Sequence, residues 1–155
     1  MKLPDIIVTD AIISDLDTAT RNEAIEALIR SLAEAGAISK RIVKDALAAV
    51  LKRENQATTG IGRGIALPHA KIKGMKKVVG TIGRSTQGID FNALDSKPVY
   101  VVILLLSNFD DPDEHLQAME TIFKHVQRDL FRKFLRQSQT AQAIAELIGE
   151  ADELA

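Results

Sequence analysis

Three imidazoles, His69, His115 and His125, are the side chains of this sequence whose ordinary pKa suits nucleophilic or proton-transfer chemistry near neutral pH. His69 closes a run in which glycine alternates with larger residues, Gly60-Ile61-Gly62-Arg63-Gly64-Ile65, followed by Ala66-Leu67-Pro68. Pro68 fixes its own φ and biases Leu67 toward extended backbone, so the ring sits on the stiff platform that a nucleophile needs. A loop histidine that merely hydrogen-bonds a carbonyl fits the same spacing. His115 falls in the first turn of a helix expected to open at Pro112, directly after the longest apolar run. Free N–H groups at such a helix start favour anions, and open α/β sheets hold ligands at this place. A core-edge histidine fits that position too, because His115 shares a stripe with Met119 and Ile122. His125 lies ten residues further on, about 280° around the helix, so it leaves that stripe and is expected at the surface.

Arg53 and Glu54 end a helix upstream of the glycine run. A guanidinium beside an imidazole makes an apt clamp for a transferring phosphoryl group, since its planar fork matches phosphate oxygens two at a time. A solvated arginine that offsets the helix dipole is the plainer alternative. The glycine run lacks the Gly-Lys-Ser/Thr of a Walker A loop, and Ile65 or Leu67 stands where a dinucleotide fingerprint needs its third glycine. No pair of histidines has helical metal-ligand spacing, and Glu114 and His115 are adjacent and so point to different faces. Neither a metal nor any other cofactor is therefore expected. With no cysteine, disulfides, thiolate zinc sites and iron–sulfur clusters are excluded together. Twenty Lys and Arg against 21 Asp and Glu leave a net charge of -1, which argues against nucleic acid and against anionic membranes. No apolar run approaches the roughly 20 residues of a membrane span. Met1 to Asp5 lacks the basic start and apolar stretch of a signal peptide, so a cytoplasmic protein is expected.

The elements that must position these residues are legible from periodicity. Ile25, Leu28, Ile29 and Leu32 share one helical face, with Thr20 and Glu23 as a capping box and Gly36 as the stop. A second helix follows Ser39, with Ile42, Val43, Ala46, Leu47, Val50 and Leu51 as its buried stripe. Thr58 to His69 reads as extended chain whose glycines admit a partner or another backbone closely. Val78 to Ile82 reads as a strand, residues 87–90 and 94–98 as turns. Val99 to Leu106 is apolar on both faces, the mark of a central strand covered on each side. Asp111 and Pro112 open a helix with Leu116, Met119, Ile122, Phe123 and Val126 buried. Two shorter helices carry Leu130, Phe131, Phe134 and Leu135, then Ile144, Leu147 and Ile148. The expected architecture is a single layered α/β domain over residues 1–155.

Arg53-Glu54 and the stretch from Thr58 to Lys71, with Gly88-Ile89-Asp90-Phe91, Leu94 to Val99 and His115-Leu116, resemble the IIA domains of the bacterial phosphoenolpyruvate-dependent phosphotransferase system, fructose/mannitol and nitrogen-regulatory (EIIA-Ntr) type. The resemblance covers nearly the whole chain. It implies a mixed central β-sheet flanked by helices on both faces, and a phosphoryl carrier. In that family a histidine, here His69, accepts the group from an HPr- or NPr-like phosphocarrier and passes it to a IIB domain or holds it as a regulatory mark. His115 would correspond to a second active-site histidine bonding the phosphoryl oxygens, and Arg53 to the neutralising arginine. Gly62, Arg63 and Gly64 would face the approaching partner, with Arg63 adding charge next to His69. The acidic segment with Asp110, Asp111, Asp113 and Glu114 could tune recognition of a basic carrier. A nitrogen-type regulatory role is favoured. The alternatives are the sugar-transport IIA component of a fructose/mannitol-type permease and a regulatory binding module, contacting a kinase or transporter, without productive phosphoryl delivery.

Overall fold

The computed structural model describes residues 1–153. In chain order its elements are helices α1 (Leu3–Ile6), α2 (Arg21–Glu34) and α3 (Val43–Gln56), and strands β1 (Gly60–Gly62), β2 (Ile65–Ala66), β3 (His69–Ile72), β4 (Val79–Ile89) and β5 (Val99–Asn108). Helices α4 (Pro112–Val126), α5 (Asp129–Gln137) and α6 (Ala141–Glu150) follow. The caps act as their residue types require: the Thr20, Asp111 and Thr140 side chains accept from the N–H groups of Glu23, Glu114 and Ala143. Gly36, at φ +78, ends α2 in a left-handed conformation.

β5 is the spine of a mixed sheet. β4 runs antiparallel to it, while β2 and β3 run parallel, with Ile65 level with Val101 and His69 level with Leu105. The two parallel strands keep one register, so they are a single edge of β5 interrupted at Leu67-Pro68. On the far side of β4, Ile7 and Ile13 form isolated bridges to Gly80 and Gly83. Both faces of β5 are covered, as its apolar run requires. Val102, Leu104 and Leu106 join the core beneath α2 and α3; Val101, Ile103 and Leu105 join a second core with Ile122, Phe131, Leu135 and Ile148. No helix among the described residues is long and apolar enough to cross a membrane.

Several expectations are corrected. The segment from Thr58 to His69 is not one extended run: β1 and β2 form an antiparallel hairpin, turned by Arg63 at φ +58 and Gly64 at φ +79. β4 continues to Ile89 through an irregularity after Arg84, so most of residues 87–90 is strand rather than turn. Ile42, just before α3, and Leu47 and Leu51 on it are only half-buried. On α4 the buried side is Ala118, Ile122, His125 and Val126, which leaves Leu116 at 57% and Phe123 at 37% exposed. The small Ala118 side chain lets the helix seat closely, and that rotation turns Leu116 outward. Leu130 and Phe134 on α5 are likewise exposed, with Phe131 and Leu135 holding the core. His125 is buried, not at the surface. Leaving the stripe of His115 carries it under the chain's C-terminal turn, against the Phe131 ring and within 3.4 Å of Asp152.

Candidate active site

The platform expected for His69 exists. Its Nδ1 lies 2.7 Å from the Leu67 carbonyl. A carbonyl oxygen can only accept, so Nδ1 carries the proton and, in the neutral ring, Nε2 keeps its lone pair. The two readings left open for this residue are therefore compatible: the carbonyl bond leaves Nε2 with the lone pair that a nucleophile needs. Burial lowers the His69 pKa, assisted by the charges of Arg53 and Lys71 and opposed by the Leu67 bond and Glu54, which favours the neutral ring at physiological pH.

α4 brings His115 to the same place. The two rings have centroids 5.6 Å apart and planes inclined at 45°. His115 is held from behind, its Nδ1 2.5 Å from the hydroxyl of the fully buried Ser107. Burial, then the neighbouring His69 and Lys71, lower its pKa to about 4. The helix itself is tied to the sheet by Glu114, which accepts from the Val78 N–H at 2.7 Å.

Arg53 reaches the cleft from α3, with Nη1 donating to the Ala57 carbonyl at 2.8 Å. The loop after α3 is fixed by Glu54, which is buried and accepts from both the N–H (2.7 Å) and the hydroxyl (2.6 Å) of Thr59. Consecutive residues thus divide the labour: Glu54 anchors the loop while Arg53 faces the cleft. The cleft, about 470 Å³, is lined by Lys52, Arg53, Lys71, His69 and His115 among others, and by no carboxylate. Such a site suits an anion with several oxygens.

Gly62, Arg63 and Gly64 do not line this cleft. The Gly64 carbonyl accepts from the N–H groups of Tyr100 and Val101, whereas His69 is level with Leu105. The hairpin tip is therefore roughly 16 Å back along β5 at the rise of a strand. Arg63 adds no charge next to His69. Gly62 and Gly64 answer to the turn itself, at φ +96 and +79, and Gly60 to a contact within the chain, since a Cβ there would fall 2.8 Å from that of Ala93. The backbone N–H groups of Arg63 and Lys97 grip Asp95 and hold its carboxyl below the usual range.

Ser107 is the site residue that the sequence reading missed. Its only signal was a hydroxyl ending an apolar run shortly before a histidine. Among the described residues no group of three or more histidine or carboxylate side chains is placed to hold a metal.

Residues 5–151 match the model of a protein family described as the phosphoenolpyruvate-dependent sugar phosphotransferase system, EIIA 2. The chain belongs to this family. It is 34% identical over 135 residues to a fructose-specific EIIA component from Haloferax volcanii, covering 87% of this chain and 86% of that protein. It is 32% identical over 148 residues to a nitrogen regulatory protein from Bradyrhizobium diazoefficiens, covering 96% and 95%. Among solved structures, IIA-Ntr from Neisseria meningitidis superposes with a TM-score of 0.82 at 24% identity, covering 93% of this chain and 97% of that one. The Escherichia coli mannitol IIA crystal structure superposes with a TM-score of 0.75 at 20% identity, covering 91% and 97%. The EIIA fold accounts for the layered α/β architecture with its mixed sheet.

Proposed function

We propose that this EIIA protein is a histidine phosphotransferase of the carrier kind, accepting a phosphoryl group on Nε2 of His69 from a phosphohistidine of an HPr- or NPr-like protein. The observation that carries the reading is the Leu67 carbonyl at Nδ1, which leaves Nε2 as the free lone pair. In the transfer that lone pair forms a P–N bond as the donor's P–N bond breaks, and the donor nitrogen keeps the electron pair. The Nδ1 proton stays in place, and the Leu67 carbonyl stabilises the positive charge the ring acquires.

Little covalent work falls to the protein, so positioning and charge do most of it. Arg53 neutralises the equatorial oxygens, with its Ala57 bond limiting the guanidinium to one approach. With Nδ1 occupied by the Ser107 hydroxyl, the remaining nitrogen of His115 faces the phosphoryl group as a hydrogen-bond partner. Phe109 and Leu116, 50% and 57% exposed beside His115, offer the apolar contact a transient carrier needs.

Onward transfer to a IIB thiolate and retention as a regulatory mark use the same chemistry, in the cytoplasm in either case. Relatives named as nitrogen regulatory proteins support the regulatory use, and fructose-specific relatives that cover 87% and 98% of this chain support the transport use. The test is incubation with phosphoenolpyruvate, enzyme I and HPr. An acid-labile mass gain of one phosphate is expected, and its persistence in His69→Ala would refute the assignment.

A further inference from the structure

A second cleft, of about 630 Å³, opens between the β1–β2 hairpin, β4 and α5. It lies toward the start of β5, since Arg84 is level with Val101 and Gly64 is bonded to Tyr100, away from the His69 end. Five of the side chains lining it are cations, Arg63, Arg84, Arg132, Lys133 and Arg136. The lone carboxylate there, Asp129, is already paired with Arg132. Among the described residues Arg63, Arg84, Lys133 and Arg136 have no ion-pair partner. In a chain of net charge -1 this is a local concentration of positive charge.

Two of the cations, Arg84 and Arg136, are also preorganised. Arg84 Nε donates to the Arg136 carbonyl at 2.7 Å and Nη1 to the Ser14 carbonyl at 3.3 Å, while the Arg136 guanidinium lies 3.7 Å from the centre of the Tyr100 ring. Guanidinium groups fixed in this way lose little freedom on meeting a ligand. Arg63 is the most telling. It stands at φ +58, where hairpin turns ordinarily use Gly or Asn, and its N–H is pinned to Asp95 at 3.0 Å. The turn holds an arginine in a conformation that glycine would adopt without strain, and the charged end of that arginine has no ion-pair partner among the described residues.

We propose that this cleft is a binding site for an oligophosphate, a small anion with two or more linked phosphoryl groups. A single phosphate group, at roughly -2 charge near neutrality, would leave about half of the four unpaired cations unanswered. Guanidinium forks match phosphate oxygens two at a time. The charges converge on one concave volume of small-ligand size rather than along a stripe or a flat face, which favours a small ligand over nucleic acid or a bilayer.

The test is calorimetry and amide chemical-shift mapping on the intact chain at about 0.15 M salt, with inorganic tripolyphosphate as probe and inorganic phosphate as control. Tripolyphosphate is expected to bind at least about tenfold more tightly than phosphate, with shifts confined to the hairpin, Arg84 and α5. Arg63→Gly should weaken binding about tenfold while raising the thermal midpoint of the free protein, because glycine relaxes the turn. Lys133→Ala should weaken binding without changing the midpoint. The proposal is overturned by absence of saturable binding, by affinity unchanged in both variants, or by shifts centred on His69 and Lys71. Tighter capture of a poly-glutamate peptide than of tripolyphosphate would also overturn it, assigning the cleft to an acidic protein segment.

Discussion

The His69 and His115 rings stand 5.6 Å apart, and each has its Nδ1 engaged inside the protein, one by the Leu67 carbonyl and the other by the Ser107 hydroxyl. Both Nε2 atoms are thereby left unengaged by these bonds, and in the proposed transfer one attacks and the other holds. Several consequences can be measured.

Ser107 fixes the ring of His115, and in the proposed transfer it acts only through that ring. Ser107→Ala should leave the fold intact and slow phosphoryl acceptance by about 10- to 100-fold, the cost of a misplaced positioning group. Rapid-quench transfer rates from phosphorylated HPr provide the check, and Ser107→Thr, which restores the hydroxyl, should recover part of the loss.

In the proposed transfer Arg53 serves through the shape of its fork as well as its charge. Arg53→Ala should slow transfer by about 10²- to 10³-fold. Arg53→Lys should recover only part of that, because an ammonium at this position cannot hold the Ala57 carbonyl and meet two phosphate oxygens together. Single-turnover rates of the two variants decide the point.

Glu54 carries the structural half of the Arg53-Glu54 pair. Removing its carboxylate in Glu54→Ala strands the buried Thr59 N–H and should cost about 1–3 kcal/mol, whereas Glu54→Gln should cost less because its amide can still pair with Thr59. Urea denaturation measures both.

Acid sensitivity follows from the histidines. Burial lowers the pKa of His69, His115 and His125, in His115 to about 4. The fold disfavours the imidazolium, so below the ordinary histidine value of about 6.5 the unfolded chain binds more protons than the native one. Stability should therefore fall as pH drops from about 6.5 and, for His115, level off below about 4. In His125→Leu, which also removes a buried ring nitrogen with no hydrogen-bond partner among the described residues, the loss should be shallower. Thermal midpoints across this pH range report both slopes. Phosphoryl acceptance should likewise persist below the pH at which a free imidazole becomes protonated.

The parts of this fold that one periodic signal decides were legible in the sequence. The Thr20 and Asp111 caps, the face of α2 and the doubly covered β5 each follow from local residue types. His69, His115 and Arg53 lie at one cleft, a pairing that the family pattern supplied and spacing could not. What failed depended on tertiary contacts. The alternating glycines hid a hairpin, because an arginine at positive φ gives no turn signal. Leu116 and Phe123 looked buried because helical spacing says nothing of which way α4 is rolled on the sheet. His125 was misplaced because the helical wheel does not include the C-terminal turn that covers it.

The central claim is that Nε2 of His69 takes the phosphoryl group because Nδ1 is committed to the Leu67 carbonyl. Long-range proton–nitrogen correlation with phosphorus coupling, on the ¹⁵N-histidine-labelled protein phosphorylated through HPr, tests it most directly. The account predicts one phosphorylated imidazole, His69, with the phosphorus coupled to Nε2 and Nδ1 still protonated. Phosphorus on Nδ1 of His69, or on His115 or His125, would contradict it.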